Sequence, residues 1–331
     1  MKYFITGATG FIGGHIARQL IEAGHQVVAL ARTLSKAGEL AKLGAELHPG
    51  DITDKESMRA PMRGVDGVFH IAAWYKLGLR DSSMAERMNV EGTRNVLELM
   101  RELNIPKGVY TSTLAIYGDT HGKLVDESYY DAGPWLSEYD RTKWLAHYKV
   151  ALPMIEEGLP LVIVQPGVVY GPGDTSSIHD VWVQYLKRRL MATPKKVAYC
   201  WAHVEDIARG HILAMERGKP GESYIIAGPP HTLIDAIALA QKITGVPGPR
   251  LHPSPGLMRA LSGIMGVVGK VAPLPPNMSA EYLRVSAGVT YTGSNQKARQ
   301  ALGYNPRPLE EGLPETLAHE MRQLGMEPRP K

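Results

Sequence analysis

An α/β fold, with a doubly wound parallel sheet and a smaller carboxyl-terminal substrate lobe, is predicted by three observations. The chain opens on an apolar run, Tyr3-Phe4-Ile5, that breaks into Gly7, Gly10 and Gly13 at equal spacing and continues as an apolar helical pattern. Short apolar stretches then alternate with helical stretches as far as residue 170, the order that builds a parallel sheet with helices on both faces. Beyond Gly171-Pro172-Gly173 the spacing loosens and proline becomes frequent. Residues 1–170 are therefore assigned to a dinucleotide-binding domain and 171–331 to the lobe, with elements of the second part free to return to the first.

The elements follow in order. Phe11 to Leu20 is apolar at helical spacing, Gly24-His25 closes that helix, and Gln26 to Leu30 is the second strand. Lys36 to Leu43 reads as a helix and Ala45 to His48 as a strand. A short helix starts at Asp54, and Gly67 to Ile71 is the next strand. Ser83 to Leu103 is a long helix whose apolar positions do not share one stripe, which predicts two buried faces, one on the sheet and one on a partner subunit. Gly108 to Ser112 is a strand, Ser137 to Glu157 a long helix interrupted near Pro153, and Leu161 to Gln165 a further strand.

Composition narrows the function classes. At 331 residues the chain buries a large core, and 44% hydrophobic with 21% charged residues is ordinary for a soluble enzyme. The net charge of +4 is dispersed, so a nucleic-acid partner is not expected. A single cysteine, Cys200, excludes an internal disulfide and a thiolate metal cluster; no metal is expected, and a reducing, cytoplasmic compartment is. No signal peptide is read ahead of the first strand. Leu257 to Val271 is too short and too charged to span a bilayer, so no membrane partner is expected. That segment reads as an apolar lid or as a helix packed on the lobe.

Two motifs carry chemistry. At the opening turn, Gly7 permits the bend, Gly10 lets a phosphate approach the backbone, and Gly13 lets helix and strand close together. The helix start offers free N–H groups and a partial positive charge to a pyrophosphate. Tyr139 and Lys143 stand one helical turn apart and project from one face. A phenol ionises near pH ~10, and a neighbouring ammonium favours the phenolate, so the pair can exchange a proton with a carbonyl or alcohol oxygen. Hydroxyls cluster in Tyr110-Thr111-Ser112-Thr113 at a strand's carboxyl end, where open parallel sheets bind ligands. Thr113 there is placed to hold the substrate oxygen; such hydroxyls also make simple turns.

Thr6-Gly7-Ala8-Thr9-Gly10-Phe11-Ile12-Gly13, the run Tyr110 to Gly118, Tyr139-Asp140-Arg141-Thr142-Lys143 and Gln165 to Asp174, in that order, resemble the extended short-chain dehydrogenase/reductase superfamily. The resemblance runs on to Tyr304 and implies a Rossmann fold. It is nearest to the dihydroflavonol 4-reductase-like, NAD-dependent epimerase/dehydratase branch, through Trp201 to His211 and Gly221 to Ile226. It implies that Tyr139 is the acid/base, that Lys143 tunes it and holds the nicotinamide ribose, and that Thr113 fills the hydroxyl position. Asn89 matches an asparagine that supports a proton-relay water, or else satisfies a helix backbone. Gly7, Thr9, Gly10, Phe11, Ile12 and Gly13 cradle the pyrophosphate by the same resemblance. The resemblance further implies that Asp51 and Ile52 contact adenine, that Ala72 and Ala73 lie beneath its ribose, and that Pro166, Gly167 and Val168 flank the nicotinamide. The two long helices resemble a four-helix homodimer interface.

At the end of the second strand, where an acid would bind a ribose 2′-hydroxyl, stands Arg32. Arginine suits a 2′-phosphate, so NADPH is expected, with Lys36 as helper; a solvated surface charge is the plainer reading of Arg32. Trp74, Tyr75, Trp135, Tyr170 and Tyr199 are candidate walls of a hydrophobic pocket, or core aromatics. The expected function is NADPH-dependent reduction of a hydrophobic ketone or aldehyde, or the reverse alcohol oxidation. The alternatives are a nucleotide-sugar epimerase/dehydratase with tightly bound NAD(P), and a redox-sensing binding protein. Against the epimerase, Thr193 to Cys200 holds no arginine for a diphosphate, though Lys195 and Lys196 partly substitute.

Overall fold

The computed structural model describes residues 1–76 and 82–327, the side chains of Lys36 and Pro276 excepted. In chain order its strands are β1 (Lys2–Thr6), β2 (Gln26–Ala31), β3 (Glu46–Pro49), β4 (Gly67–His70), β5 (Gly108–Thr111), β6 (Leu161–Pro166), β7 (Val168–Tyr170), β8 (Ala198–His203), β9 (Ser223–Ile226), β10 (Pro230–Thr232) and β11 (Thr290–Tyr291). Seven form one all-parallel sheet in the order β3-β2-β1-β4-β5-β6-β9. Strand order reverses between β1 and β4, which opens a crevice at their carboxyl ends. Apart from the edge strand β3, these strands are almost wholly buried because helices cover both faces.

One face carries helices Phe11–Glu22 and Val204–Arg217, packed on each other over Ile5, Ala29 and Val164. The other carries Lys55–Met62, Gly92–Glu102 and Glu138–Leu145 with its continuation to Glu156, over Phe4, Val68 and Ile163. The second buried face of Gly92–Glu102 is filled from within the chain: Met58 and Met62 on one side, Ala146 and Val150 on the other, share its cluster. Both long helices carry a wide π-helical turn, Arg87–Glu91 and Ala146–Ala151. The second precedes Pro153, which lacks the N–H that a regular α-turn would use, so the helix widens there and continues.

The lobe is organised on a small sheet. β8 lies between β10 (antiparallel) and β11 (parallel), and β7 also pairs with it. Only Gly167 separates β6 from β7, and a Cβ there would stand 2.2 Å from the Cys200 carbonyl oxygen. Glycine thus lets the chain step from the large sheet to the small one at the crevice. Leu257 to Val271 lies within helix Pro255–Val271, begun by Ser254, whose hydroxyl accepts the Leu257 N–H. Among the described residues no helix is long and apolar enough to cross a membrane.

Candidate active site

A cleft of about 800 Å³ runs across the carboxyl edge of the sheet, between the opening turn and the lobe. Its floor is the turn after β1. Gly7 adopts φ +74°, and a Cβ on it would meet the Ala72 backbone nitrogen at 2.7 Å. A Cβ on Gly13 would stand 2.2 Å from the Gly7 carbonyl oxygen, so helix and strand close only with glycine at both places. Gly10 caps helix Phe11–Glu22 without a side-chain acceptor, which leaves the first N–H groups facing the cleft. This bare, positively polarised rim fits a dinucleotide pyrophosphate, and Thr9, Phe11 and Ile12 line it.

The remaining predicted contacts converge on the same space. Arg32, Asp51 and Ile52 line the end beyond β2, with Arg32 Nε 3.9 Å from Asp51 Oδ2 and its side chain largely exposed. Ala72, Ala73, Trp74 and Tyr75 follow β4; Pro166, Gly167 and Val168 line the opposite wall, and Tyr199 enters from β8. The Lys36 side chain lies outside the described residues.

Tyr139, Lys143 and Thr113 all line this cleft, and Tyr139 hydrogen-bonds Thr113. Ser137 caps the helix by accepting the Asp140 N–H at 3.0 Å, fixing Tyr139 in the first turn. The Tyr139 ring packs edge-on against Tyr75, centroids 4.8 Å apart. Burial pushes its phenol well above the ordinary value, while a hydrogen bond with Thr113 pulls the other way. The Lys143 ammonium donates to the Thr111 carbonyl at 2.7 Å and to the Tyr110 hydroxyl at 3.2 Å. Burial lowers it to about 7. The expected lowering of the Tyr139 phenol by Lys143 is not what the site shows: burial sets the direction, and the Lys143 ammonium is engaged by Thr111 and Tyr110.

Three predicted residues stand elsewhere. Tyr170 is fully buried under helix Leu309–Gln323, where Gly312 leaves room for its ring, and does not line the cleft. Trp135 packs on Trp144 at 5.5 Å in a separate apolar cluster. Asn89 is buried in the first π-turn: its Oδ1 accepts the Trp74 N–H at 2.6 Å, and its Nδ2 donates to the Trp74 carbonyl and the Thr142 hydroxyl. It fixes the loop that presents Trp74.

Sequence reasoning missed residues that the fold supplies from far along the chain. Met258, Tyr282, Val285 and Tyr291 complete the lobe wall. Asp140 also lines it: its Oδ2 accepts the Tyr291 hydroxyl at 3.0 Å, and burial raises it to about 7 against that bond and one from Ser137. Behind the cleft, His70 bonds Thr6 at 2.8 Å and Thr93 at 3.0 Å, and His147 bonds Ser112 at 2.9 Å. Position next to the Tyr139 motif was the one available signal for Asp140.

The profile of the NAD-dependent epimerase/dehydratase family matches residues 3–227, most of the chain and all of the cleft floor. The chain belongs to that family. Its members are extended short-chain dehydrogenases/reductases, so the protein is an oxidoreductase of that type and its cleft takes a nicotinamide cofactor. A candidate dihydroflavonol 4-reductase of Synechocystis sp. is 32% identical over 321 residues, 94% of this chain and 92% of that protein. A 2-alkyl-3-oxoalkanoate reductase of Stenotrophomonas maltophilia is 30% identical over 337 residues, 95% of this chain and 97% of that one. The crystal structure of a protein designated gox2253 superposes with a TM-score of 0.84 at 32% identity, covering 98% of this chain and 99% of that chain.

Proposed function

We propose that this family member is an NADPH-dependent carbonyl reductase acting on a hydrophobic ketone or aldehyde, or on the corresponding alcohol in reverse. The observation that carries this reading over sugar-nucleotide chemistry is the composition of the lobe wall. Among the described lining residues the basic side chains are Arg32, Lys76 and Lys143, all from the first half of the chain, whereas the lobe contributes Leu190, Val197, Tyr199, Met258, Tyr282 and Val285. A sugar diphosphate asks for arginine there. Lys195 and Lys196 are exposed and do not line the cleft. The two reductases named above are similar to this chain along nearly its whole length.

A nicotinamide cofactor held by its pyrophosphate at the opening turn would supply the hydride for the carbonyl carbon. Tyr139, neutral at physiological pH, then gives its proton to the carbonyl oxygen, and Thr113 orients that oxygen. Lys143 holds the ribose and takes up charge close to pH 7. Arg32, which lines the cleft beyond β2, would suit a 2′-phosphate and supports NADPH over NADH. A reducing, cytoplasmic setting belongs to the same reading, with Cys200 a free and buried thiol. A homodimer through the outer sides of the two long helices is part of the same proposal, and a single monomer mass in light scattering would refute it.

The test is a panel of hydrophobic ketones and aldehydes followed by absorbance with NADPH and NADH. NADPH consumption on apolar carbonyls is the expected result. Protein that purifies with cofactor bound and interconverts sugar nucleotides without net NADPH consumption would replace this reading with the epimerase one.

A further inference from the structure

The rim of the cleft has an outer side that the reductase reading does not use. Two segments form it, side by side: residues 187–196 and the stretch from Arg250 into helix Pro255–Val271. They are joined by the Thr193 N–H to the Leu251 carbonyl and the Lys195 N–H to the Pro253 carbonyl, both at 3.0 Å, and by a parallel bridge from Ala192 to Leu251. Their inner sides, Leu190, Ala192, Pro194, Pro253 and Met258, line the cleft. Their outer sides expose large apolar groups: Met191 (81%), Leu251, Leu257, Ile264, Val267 and Val271 (85%). On the helix, positions 257, 260, 264, 267 and 271 fall on one stripe at ~100° per residue, so the exposed apolar groups are contiguous.

The charge on this rim is of one sign. No Asp or Glu occurs between Asp180 and Glu205, a stretch that holds Lys187, Arg188, Arg189, Lys195 and Lys196. None occurs between Asp235 and Glu281, a stretch that holds Lys242, Arg250, Arg259 and Lys270. Eight of these cations, all but Lys242, lie on the two rim segments, and among the described residues none of the nine makes an ion pair. Arg259 and Lys270 are eleven residues apart, hence on one flank of the apolar stripe, and both are exposed.

We propose that this rim docks on an anionic phospholipid surface, with the stripe of helix Pro255–Val271 set among the acyl chains and the flanking cations at the headgroups. An apolar stripe bordered by basic residues on a helix too short to span is the pattern of an interfacial helix. A second copy of the chain fits less well: a two-fold contact sets each patch against itself and opposes cations of the same sign. Docked in this way, the cleft mouth faces the bilayer, and a lipophilic carbonyl compound passes into it across Met258 without crossing water. This departs from the expectation of no membrane partner, which rested on the lack of a spanning segment. The docking does not depend on the reductase reading.

The test is co-sedimentation of the full chain with vesicles of phosphatidylglycerol and phosphatidylcholine in about equal parts, and with phosphatidylcholine alone. Binding is expected to the anionic vesicles only. It should weaken as salt rises from about 0.1 M to about 1 M, where the screening length shrinks from ~10 to ~3 Å. The double substitution I264S/V267S should abolish binding, and each charge removed in K195Q/K196Q should weaken it about fivefold. Circular dichroism and NADPH affinity, which these exposed positions leave unchanged, report that the variants are folded. Failure to bind anionic vesicles, or equal binding by I264S/V267S, overturns the proposal. So does a dimer in light scattering that I264S/V267S dissociates, since a second copy would then cover the face. Carbonyl reduction of water-soluble substrates proceeds in either case, which keeps this outcome separate from that of the reductase assay.

Discussion

Tyr139 combines a raised phenol with a neighbouring lysine lowered to about 7, and burial is the leading cause of both shifts because it disfavours the charged form of each. A phenol that stays protonated through neutral pH is a competent proton donor without help, so reduction should show no acid requirement between about pH 6 and 8. The reverse reaction needs the phenolate, and its rate should rise up to tenfold per pH unit over the same range. Tyr139→Phe should lower kcat/KM by ~10²–10⁴-fold and leave NADPH affinity unchanged; unaltered turnover would mean that Tyr139 is not the proton donor. Arg32 acts at the other end of the cleft. Its side chain is exposed and only 3.9 Å from Asp51, so its role is electrostatic and replaceable. Arg32→Ala should raise the KM for NADPH about tenfold and that for NADH little, as read from initial rates, because a charge-assisted bond to the 2′-phosphate contributes ~1.5–3 kcal/mol.

Two helices that share one face of the sheet are clasped by a single carboxylate. Glu205, in the first turn of Val204–Arg217, accepts from His15 and Gln19 at 2.8 Å and from Arg18, all on Phe11–Glu22. These bonds, that of His15 first, hold it down at about 2. A depressed carboxylate contributes stability that is complete above its unfolded value near ~4.5 and is lost as pH falls toward 2. Glu205→Gln should therefore cost about 1–2 kcal/mol at pH 7 in urea unfolding, and the gap from the parent should narrow as pH falls below ~4.5 and close toward pH 2. Elements of this length were legible in the sequence, since Phe11–Glu22 and β1 to β6 follow from apolar spacing and glycine punctuation alone. The two π-turns were not, because a one-residue widening leaves the helical pattern intact. Nor were β10 and β11, whose two or three residues carry no periodicity and pair only because β8 is already in place.

At the scale of the whole molecule, the half of the cleft contributed by residues 1–170 was legible because its groups follow strand ends directly. The lobe wall was not: Tyr291 reaches Asp140 only through folding across 151 residues of chain, Tyr282 joins the same cleft from equally far along, and no local pattern marks them. Tyr170 misled for the same reason, since its nearness in sequence to the nicotinamide loop says nothing of the helix that later covers it. The hydroxyl-rich strand ends carry a further consequence that only the folded molecule reveals. Thr6, Thr111 and Ser112 each bond a buried imidazole, His70, His211 and His147. Burial lowers His70 and His147 to about 3 and His211 to about 4, so all three are neutral in the folded protein at pH 7. The unfolded chain takes up a proton at each near pH ~6.5 and the folded chain does not, so stability falls as pH drops from ~6.5 toward 3. Each group steepens that fall by at most ~1.4 kcal/mol per pH unit, so together they should bring acid unfolding on well above the range where carboxylates titrate. Urea midpoints measured between pH 7 and 5 should decline steeply, and His211→Gln, which keeps a hydrogen-bonding group for Thr111, should flatten the decline by about one third. A midpoint that does not change across that range would mean that these imidazoles are already charged in the fold.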